Sequence, residues 1–360
     1  MGLLVDREWK WCNSEKYERA NRDRRLSEDV TVDEGALGTW LLVRRGPVTQ
    51  ACLNIVHEHQ LDGYTLGEEV SMREKILEGP PPKLLTLHVK KPADLSFVTQ
   101  LARLERLHLE LSNEVPLDLS SLSSLKILIL GDQCRGVSGH FDLKNLTEFK
   151  AEQLTPGLIG ALSGHATLEG LDLRYSKVKD ISALGNLKNL RFLNIAHMRG
   201  VTDFSWIADC TKLEELWLEY NGPIEDTTFL RALKNLKVLK MQNVTSASIF
   251  ADIAGLPHIA DVVVQAQEKR LTPPTPSSLK PLQGHPSLKR IIALGPWHVD
   301  SVLPLRECPN LTTINIRGSG SKIEDDTIEP LKGMPSILSI TVPGRKCWDR
   351  DLERPSGISS

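Results

Sequence analysis

Apolar residues recur along most of the chain in a fixed frame. The pattern L-x-x-L-x-L, with conservative replacements, begins repeatedly between Lys83 and Val342, and most steps between the starting residues are about 20 to 23 residues long. The starting residues are Leu84, Leu104, Leu125, Leu146, Leu168, Leu190, Leu213, Leu236, Ile259, Leu288, Leu311 and Ile337. This period predicts stacked coils rather than one large core, because each coil buries its apolar residues only against its neighbours.

Each coil is predicted to contain one strand and one short helical turn. Leu171 and Leu173 are two residues apart, so on a strand both point to the interior. Behind the strand, Ile181 and Leu184 have the spacing of three that is typical of a short helix or 3₁₀ turn. Aspartates that precede such turns are predicted to cap their free N–H groups; they are Asp180, Asp203 and Asp226.

These motifs resemble those of leucine-rich-repeat proteins of the short-repeat subclass, which includes the phosphatase-1 regulator and the internalins. The resemblance implies an α/β solenoid with a curved parallel β ladder on the concave face and short helices or 3₁₀ turns on the convex face. Cys210 and Cys308, each three residues before a starting leucine, are similar to the cysteine-containing subclass, and we expect both to be buried apolar filler. The asparagine that is usual eight residues after the first leucine is present only as Asn221, so we expect that ladder to be mostly missing.

The ends of the chain depart from the frame and predict three segments. Residues 1–80 are predicted to be an N-terminal α/β cap or small accessory domain, residues 81–343 a solenoid of about 12 repeats, and residues 344–360 a C-terminal cap with a flexible tail. The insertion at residues 267–281 is either part of the binding face or a tolerated loop.

Local patterns within residues 1–80 predict four elements: a charged helix over Ser14–Leu26, strands at Trp40–Val43 and Cys52–Val56, and a helix over Glu68–Leu77. Alternatively, Leu37-x-x-Trp40 and Leu61-x-x-Tyr64 begin two degenerate early coils. We expect tryptophans to cover the exposed ends of the coil stack; the candidates are Trp9, Trp11, Trp40 and, after the last coil, Trp348.

Charge limits the classes of partner that the chain can bind, and cysteine content indicates its cellular compartment. The chain has 44 basic and 46 acidic residues, which gives no basic footprint for nucleic acid or for an anionic membrane. No apolar stretch approaches the roughly 20 residues that span a bilayer. Six cysteines are scattered without C-x-x-C pairs, which favours a reduced, cytoplasmic protein. The sequence leaves the oligomeric state open, and we favour a monomer.

Motifs for catalysis are missing from the sequence, which has no G-x-S-x-G, H-E-x-x-H or Walker loop. We therefore predict no enzyme and no cofactor. Two histidine pairs are weak hints of metal binding, namely His57 with His59 on one strand face and His88 with His108 at equivalent positions beside Glu110. Solvated surface histidines are the alternative, and we predict no metal site.

The residues between and just after the buried positions of each strand are predicted to face the concave surface. Aromatic residues gather there on three adjacent strands, within a polar rim, as in a binding hot spot. The predicted partner-binding residues are Asp172, Arg174, Tyr175, Phe192, Asn194, His197, Glu215, Trp217, Glu219, Tyr220, Lys240 and Gln242. Some of these rings alternatively pack against one another.

The sequence thus predicts a non-enzymatic scaffold that binds a protein on its concave face and regulates or recruits it. One alternative is an adaptor, effector or toxin-neutralising protein whose N-terminal region engages a second partner. The least favoured alternative is an enzyme with unrecognised chemistry in residues 1–80.

Overall fold

The structure is a computed structural model of the chain. It describes residues 24–25, 30–35, 38–91, 93–131, 134–139, 142–267, 277–325 and 327–350. The chain divides into two compact units. Unit 1 comprises Met1–Gln153 and Thr167–Leu171, and unit 2 comprises Leu154–Ala166 and Asp172–Ser360.

Unit 1 contains a ladder of parallel strands with an antiparallel start. Its strands are β1 Arg24–Arg25, β2 Val30–Gly35, β3 Gly38–Pro47, β4 Gly63–Ser71, β5 Leu84–Val89, β6 Arg106–Leu111, β7 Leu117–Asp118, β8 Ile127–Leu130, β9 Val137–Ser138 and β10 Glu148–Glu152. Strands β3, β4, β5, β6, β8 and β10 pair in parallel, each with the next. Strand β2 is antiparallel to both β1 and β3, and β7 pairs with β9.

Unit 2 repeats the parallel arrangement. Its strands are β11 Gly170–Arg174 (most of which belongs to this unit), β12 Phe192–Ala196, β13 Glu215–Glu219, β14 Val238–Val244, β15 Asp261–Ala266, β16 Arg290–Leu294, β17 His298–Val299, β18 Thr313–Arg317, β19 Lys322–Ile323, β20 Ser339–Thr341 and β21 Trp348–Asp349. Strands β12 to β16, β18 and β20 pair in parallel, each with the next. β17 pairs with β19, and β21 is antiparallel to β20.

The helices are short and lie between the strands. The α-helices are α1 Gln50–Glu58, α2 Pro156–Leu162, α3 Ile249–Ile253 and α4 Glu329–Lys332. The 3₁₀ helices span Arg73–Glu78, Ser96–Gln100, Cys134–Gly136, Ser182–Asn186, Ser205–Asp209, Thr228–Ala232, Lys280–Leu282 and Leu303–Glu307. The α/β repeat fold and its short helical turns are confirmed.

The core follows the predicted frame from Leu104 onward. The frame that begins at Leu84 was two residues out of register, because Leu85 and Leu87 are the Cα partners of Leu107 and Leu109. Leu193 and Leu216 are fully buried and are Cα partners on β12 and β13, so the apolar residues of successive coils stack on one another. The predicted aspartate caps are confirmed, since a carboxylate oxygen of each accepts the backbone N–H two residues later at 2.8–2.9 Å. Cys210 and Cys308 are fully buried, as expected of apolar filler.

A row of asparagines joins consecutive coils at a position that the sequence analysis overlooked. Each stands directly before a starting leucine, and its Nδ2 donates to a carbonyl oxygen of the preceding coil at 2.6–2.9 Å. These residues are Asn145, Asn189, Asn235 and Asn310. We call them the coil-start asparagines; they satisfy carbonyl groups that a turn leaves without a partner. At the expected position, Asn221 bonds to both Met198 N and Ile195 O.

Two elements predicted within residues 1–80 differ from those in the structure. The predicted strand Cys52–Val56 is wrong, because these residues lie in helix α1, whose first turn is capped by the Thr49 hydroxyl. The predicted helix Glu68–Leu77 is also wrong, because strand β4 runs to Ser71 and a 3₁₀ helix follows. Of the helix predicted over Ser14–Leu26, the structure describes only Arg24–Arg25, which form strand β1.

The strand pairing supports the alternative of two early coils. Strands β3 and β4 lie parallel to β5, with Leu41 opposite Tyr64 and Val43 opposite Leu66, all four buried. The predicted frame through Trp40 was therefore one residue out of register. The domain bounds near residues 80 and 343 stay a prediction.

Of the four tryptophans predicted to cover the ends of the coil stack, the structure describes two. Trp40 is buried in β3 and Trp348 is buried in β21 against the last parallel strand, whereas Trp9 and Trp11 lie outside the described residues. The same holds for most of the 267–281 insertion and for the tail after Arg350.

Candidate functional site

The candidate site lies on the outward face of unit 2, by which we mean the side chains that alternate with the buried ones along its strands. Because the strands pair in register, equivalent outward residues of neighbouring coils lie side by side. Along the ladder they form rows whose members are about 4.8 Å apart.

Three aromatic rings form a continuous stack at one edge of this face. The rings of Tyr175 and His197 have centroids 4.5 Å apart with an interplanar angle of 13°. The ring centroids of His197 and Tyr220 are 4.7 Å apart, and the interplanar angle is 12°. We call these three residues the aromatic stack. Tyr175 and Tyr220 remain 50% and 52% exposed, so the stack presents its ring edges and outer faces to solvent.

The backbone explains why the rings align. Tyr175, His197 and Tyr220 directly follow β11, β12 and β13, and all three have left-handed φ values of 53° to 57°. This conformation is unfavourable for residues other than glycine, and here it ends each strand at the same position. The Tyr175 N–H donates to Ala196 O, and the His197 N–H donates to Glu219 O. The repeat therefore brings the three side chains into register.

The next coils hold the stack in place. The Tyr220 N–H donates to Gln242 Oε1 at 3.2 Å. Asn243 has the same left-handed backbone, and its Nδ2 donates to Asn221 O at 2.7 Å. Hydrogen bonds from the adjoining coil thus fix the edge of the face, and the rings are ordered before any partner arrives.

His197 is the titratable member of the stack. Its pKa is lowered, first because burial between the tyrosines disfavours the charged imidazole and next because of Arg174, while Glu219 opposes the shift. The imidazole of His197 is therefore neutral near neutral pH.

A second cluster lies on β12 to β14. The rings of Phe192 and Trp217 meet edge to face, 5.4 Å apart. Lys240 Nζ lies 5.3 Å from the centre of the Trp217 ring and 2.5 Å from Glu219 Oε1. One ammonium group thus contacts an aromatic face and a carboxylate, which fixes the indole orientation.

The structure separates the predicted partner-binding residues into two groups. Three of them are inaccessible, with exposed fractions of 0% for Asp172, 1% for Phe192 and 0% for Asn194. The expectation that these side chains lie open on the surface is wrong. Asp172 instead forms a bidentate ion pair with Arg174, at 2.7 and 2.8 Å. The accessible group contains Arg174, Tyr175, His197, Glu215, Trp217, Glu219, Tyr220, Lys240 and Gln242. Their role in binding stays a prediction.

The predicted partner-binding residues end at Gln242, but the outward face continues beyond it. Lys240 is the Cα partner of Val263, Val263 of Ile292, and Ile292 of Asn315. All four are half-buried outward residues. The same alternation that identified Trp217 identifies them, so the signal was present in the sequence.

The two histidine pairs lie in unit 1 and differ from the prediction. His57 and His59 are exposed, the first in helix α1 and the second at its C-cap, rather than on one strand face. His88 is the Cα partner of Glu110 rather than of His108. The His88 and His108 rings nevertheless lie 6.0 Å apart, and His108 Nε2 lies 2.8 Å from Glu110 Oε1.

The described residues contain no group of three or more histidine, cysteine, aspartate or glutamate side chains that could hold a metal ion. Among the helices that the structure describes, none has the length and apolar character to cross a membrane.

Comparison with known proteins gives matches only among solved structures, since neither a family model nor a curated protein matches the chain. An internalin from Listeria monocytogenes superposes with a TM-score of 0.60 at 18% identity, over 89% of this chain and 85% of that one. A leucine-rich-repeat protein of Leptospira interrogans gives 0.55 at 18% identity, over 84% and 77%.

A third match is a plant peptide hormone receptor in complex with RGF2. It gives a TM-score of 0.53 at 15% identity, over 86% of this chain and 51% of the receptor chain. At these identities the likeness concerns the fold. With the repeated frame and the parallel ladders, it shows that this chain has the leucine-rich-repeat fold of the internalin type.

Proposed function

We propose that this chain is a non-enzymatic scaffold that binds a partner protein on the outward face of unit 2, which we expect to be the concave face of the solenoid. Binding there would recruit or regulate the partner. The aromatic stack carries the proposal, because it keeps two large aromatic rings half-exposed in a chain with only 5% aromatic residues.

The chemistry of the stack supports a protein partner. Tyrosine and tryptophan dominate binding hot spots, where a polar rim surrounds them. Arg174, Glu219 and Gln242 supply such a rim beside Tyr175 and Tyr220. The stacked rings lose little conformational freedom on binding, because their geometry is already fixed.

The fold supports the same role. Repeat proteins of this class offer an extended surface for binding, and the plant receptor that shares the fold was solved with RGF2 bound. In this chain the surface chemistry, rather than the fold, has to select the partner.

Affinity purification with quantitative mass spectrometry tests the proposal. Wild type is compared with the double variant Tyr175→Ala/Tyr220→Ala and with Leu338→Ala, which truncates an equally exposed apolar side chain outside the outward face. We expect the double variant to lose the main partner while it remains folded, and Leu338→Ala to keep the partner. Retention of every wild-type partner by the folded double variant contradicts the proposal.

A cytoplasmic location and a monomeric state are part of the proposal. The five cysteines that the structure describes are free thiols, and Cys347 is exposed, which is typical of a reducing compartment. Thiol labelling of protein isolated under native conditions checks the first point, and light scattering checks the second.

A further inference from the structure

The outward row that continues to Thr341 on β20 contains a stretch that crosses six strands and has a carboxamide at each end. We call it the middle row; it consists of the residues that lie between the two buried positions of each strand. Its members are consecutive Cα partners: Asn194, Trp217, Lys240, Val263, Ile292 and Asn315. Five strand steps make the row about 24 Å long.

The polar atoms at the start of the row lack partners. Asn194 is fully buried, and neither its Nδ2 nor its Oδ1 forms a hydrogen bond. The neighbouring Trp217 Nε1–H is also buried and unpaired. Such groups lower the stability of a folded chain, and buried polar atoms are seldom left unsatisfied. Three of them on two adjacent side chains indicate a site that a ligand completes.

The far end of the row repeats the feature. Asn315 Oδ1 is buried without a hydrogen-bond partner. A carboxamide offers a donor and an acceptor side by side. The N–H and C=O of one residue in an extended peptide match both, because they belong to neighbouring peptide units and point to the same side. The C=O accepts from Nδ2 while the N–H donates to Oδ1. Peptide backbone supplies such groups along its whole length.

The centre of the row indicates which side chains the ligand carries. Val263 and Ile292 are half-buried apolar residues. The charges nearby are already compensated, since Lys240 pairs with Glu219 and Arg290 pairs with Asp261. A ligand therefore needs apolar side chains rather than charged ones.

We propose that the middle row binds an extended, mainly apolar peptide segment of a partner protein, whose backbone amides pair with Asn194 at one end and with Asn315 at the other. An extended chain rises about 3.4 Å per residue, so about seven residues span the row. Because Asn194 is fully buried in the free protein, binding at that end requires the side chains that cover it to move. This inference rests on the proposed function and names the part of the partner that is recognised.

A displayed library of unstructured peptides tests the inference. Peptides enriched on the wild type are measured by titration against Asn194→Leu and Asn315→Leu, and against Tyr175→Ala/Tyr220→Ala. We expect enriched peptides to be apolar and to bind each asparagine variant at least about tenfold more weakly, as for the loss of a buried hydrogen-bond pair. The chemical denaturation midpoint of Asn194→Leu should be equal to that of the wild type or higher, because leucine removes unpaired polar atoms without shrinking the side chain.

Chemically modified peptides give a readout on the wild type that does not depend on how the variants fold. One enriched peptide is synthesised with each backbone nitrogen methylated in turn. We expect two sensitive positions about seven residues apart, each at least about tenfold weaker, and the sensitivity at the first should vanish on Asn194→Leu.

Unchanged binding to both asparagine variants, an N-methyl scan without a sensitive position, or the absence of any enriched peptide overturns the inference. These outcomes remain separable from failure of the proposed function. If the selected peptides bind normally to both asparagine variants but not to the double tyrosine variant, the face binds protein without the middle row acting as inferred. Loss of the natural partner is judged by the purification experiment alone.

Discussion

A histidine–glutamate pair on the outward face of unit 1 contrasts with buried, unpaired polar groups on the outward face of unit 2. On β6, His108 contacts Glu110 at 2.8 Å. On β12 and β13, Asn194 and the Trp217 indole N–H are buried without partners, and two tyrosines remain half-exposed beside them. The strands are alike in both units, with parallel pairing in register and the same buried leucines. The difference teaches that the repeat frame determines the scaffold but leaves the outward chemistry free to vary.

The largest expected effect tests whether the scaffolds are equivalent. Leu109→Ala in unit 1 and Leu218→Ala in unit 2 each truncate a fully buried leucine. Each should lower the free energy of unfolding by about 2–5 kcal/mol, through lost burial and the cavity that remains. Urea denaturation with separate probes for each unit measures both. Costs that differ by more than about twofold would show that the two ladders are not built alike.

The second effect tests the difference between the faces. Trp217→Ala should weaken partner binding by about 2 kcal/mol or more, because a large ring with contacts to Phe192 and Lys240 is lost. The matched change His88→Ala in unit 1 should leave the affinity within about 0.5 kcal/mol. Calorimetric titration with the purified partner compares them. An equal loss in both variants would place the binding surface on both units.

The third effect compares two residues that share a left-handed backbone. Met72 in unit 1 has a φ of 53° and an exposed side chain, and His197 in unit 2 has a φ of 57°. Met72→Gly should stabilise the fold by about 0.5–1 kcal/mol by relieving backbone strain. His197→Gly should give no such gain, because contacts with both stacked tyrosines are lost. Thermal denaturation of the two variants measures both changes in stability. Higher stability of His197→Gly than of the wild type would mean that the stack contributes little to stability.

The smallest effect concerns pH. Burial lowers the pKa of His108 in unit 1 and of His285 in unit 2 from the ordinary 6.5. A histidine with a depressed pKa contributes stability that is fully present above pH 6.5 and is lost as the pH falls through its folded pKa. Urea midpoints should therefore be lower at pH 5.5 than at pH 7.5. His285→Gln should reduce the change of the urea midpoint with pH in unit 2 and leave that change in unit 1 unaltered. A midpoint that rises on acidification would reverse the assigned sign.

The sequence was sufficient for the ladder because its signal is redundant. Leu171, Leu193 and Leu216 occupy the same frame in consecutive coils, and an error in one coil does not alter the rest. Outside the frame that redundancy is lost. Residues Cys52–Val56 form a short apolar run that fits a buried strand or a buried helix, and the hydroxyl cap at Thr49 favoured the helix.

The site was predicted less completely for a geometrical reason. Alternation along a strand gives the direction of a side chain but not what covers it. Phe192 and Asn194 alternate with Leu193 and Ile195, yet both are buried, and the Trp217 ring packs edge to face against Phe192. The alignment of Tyr175, His197 and Tyr220 was foreseeable from their equal positions. The unpaired carboxamides were not, because hydrogen bonding depends on coordinates.

The coil-start asparagines bear on how such a gene can change length. Each amide attaches its own coil to the one before, so the attachment is encoded within the segment that it holds. A tandem duplication of residues 213–235 would copy a whole coil together with Asn235, and the inserted coil would meet compatible neighbours on both sides. It would also copy Trp217 and Tyr220 and thus add one more ring to the stack. Recombination can therefore enlarge the recognition surface one coil at a time, because the buried residues of an inserted coil already pack against those of its neighbours.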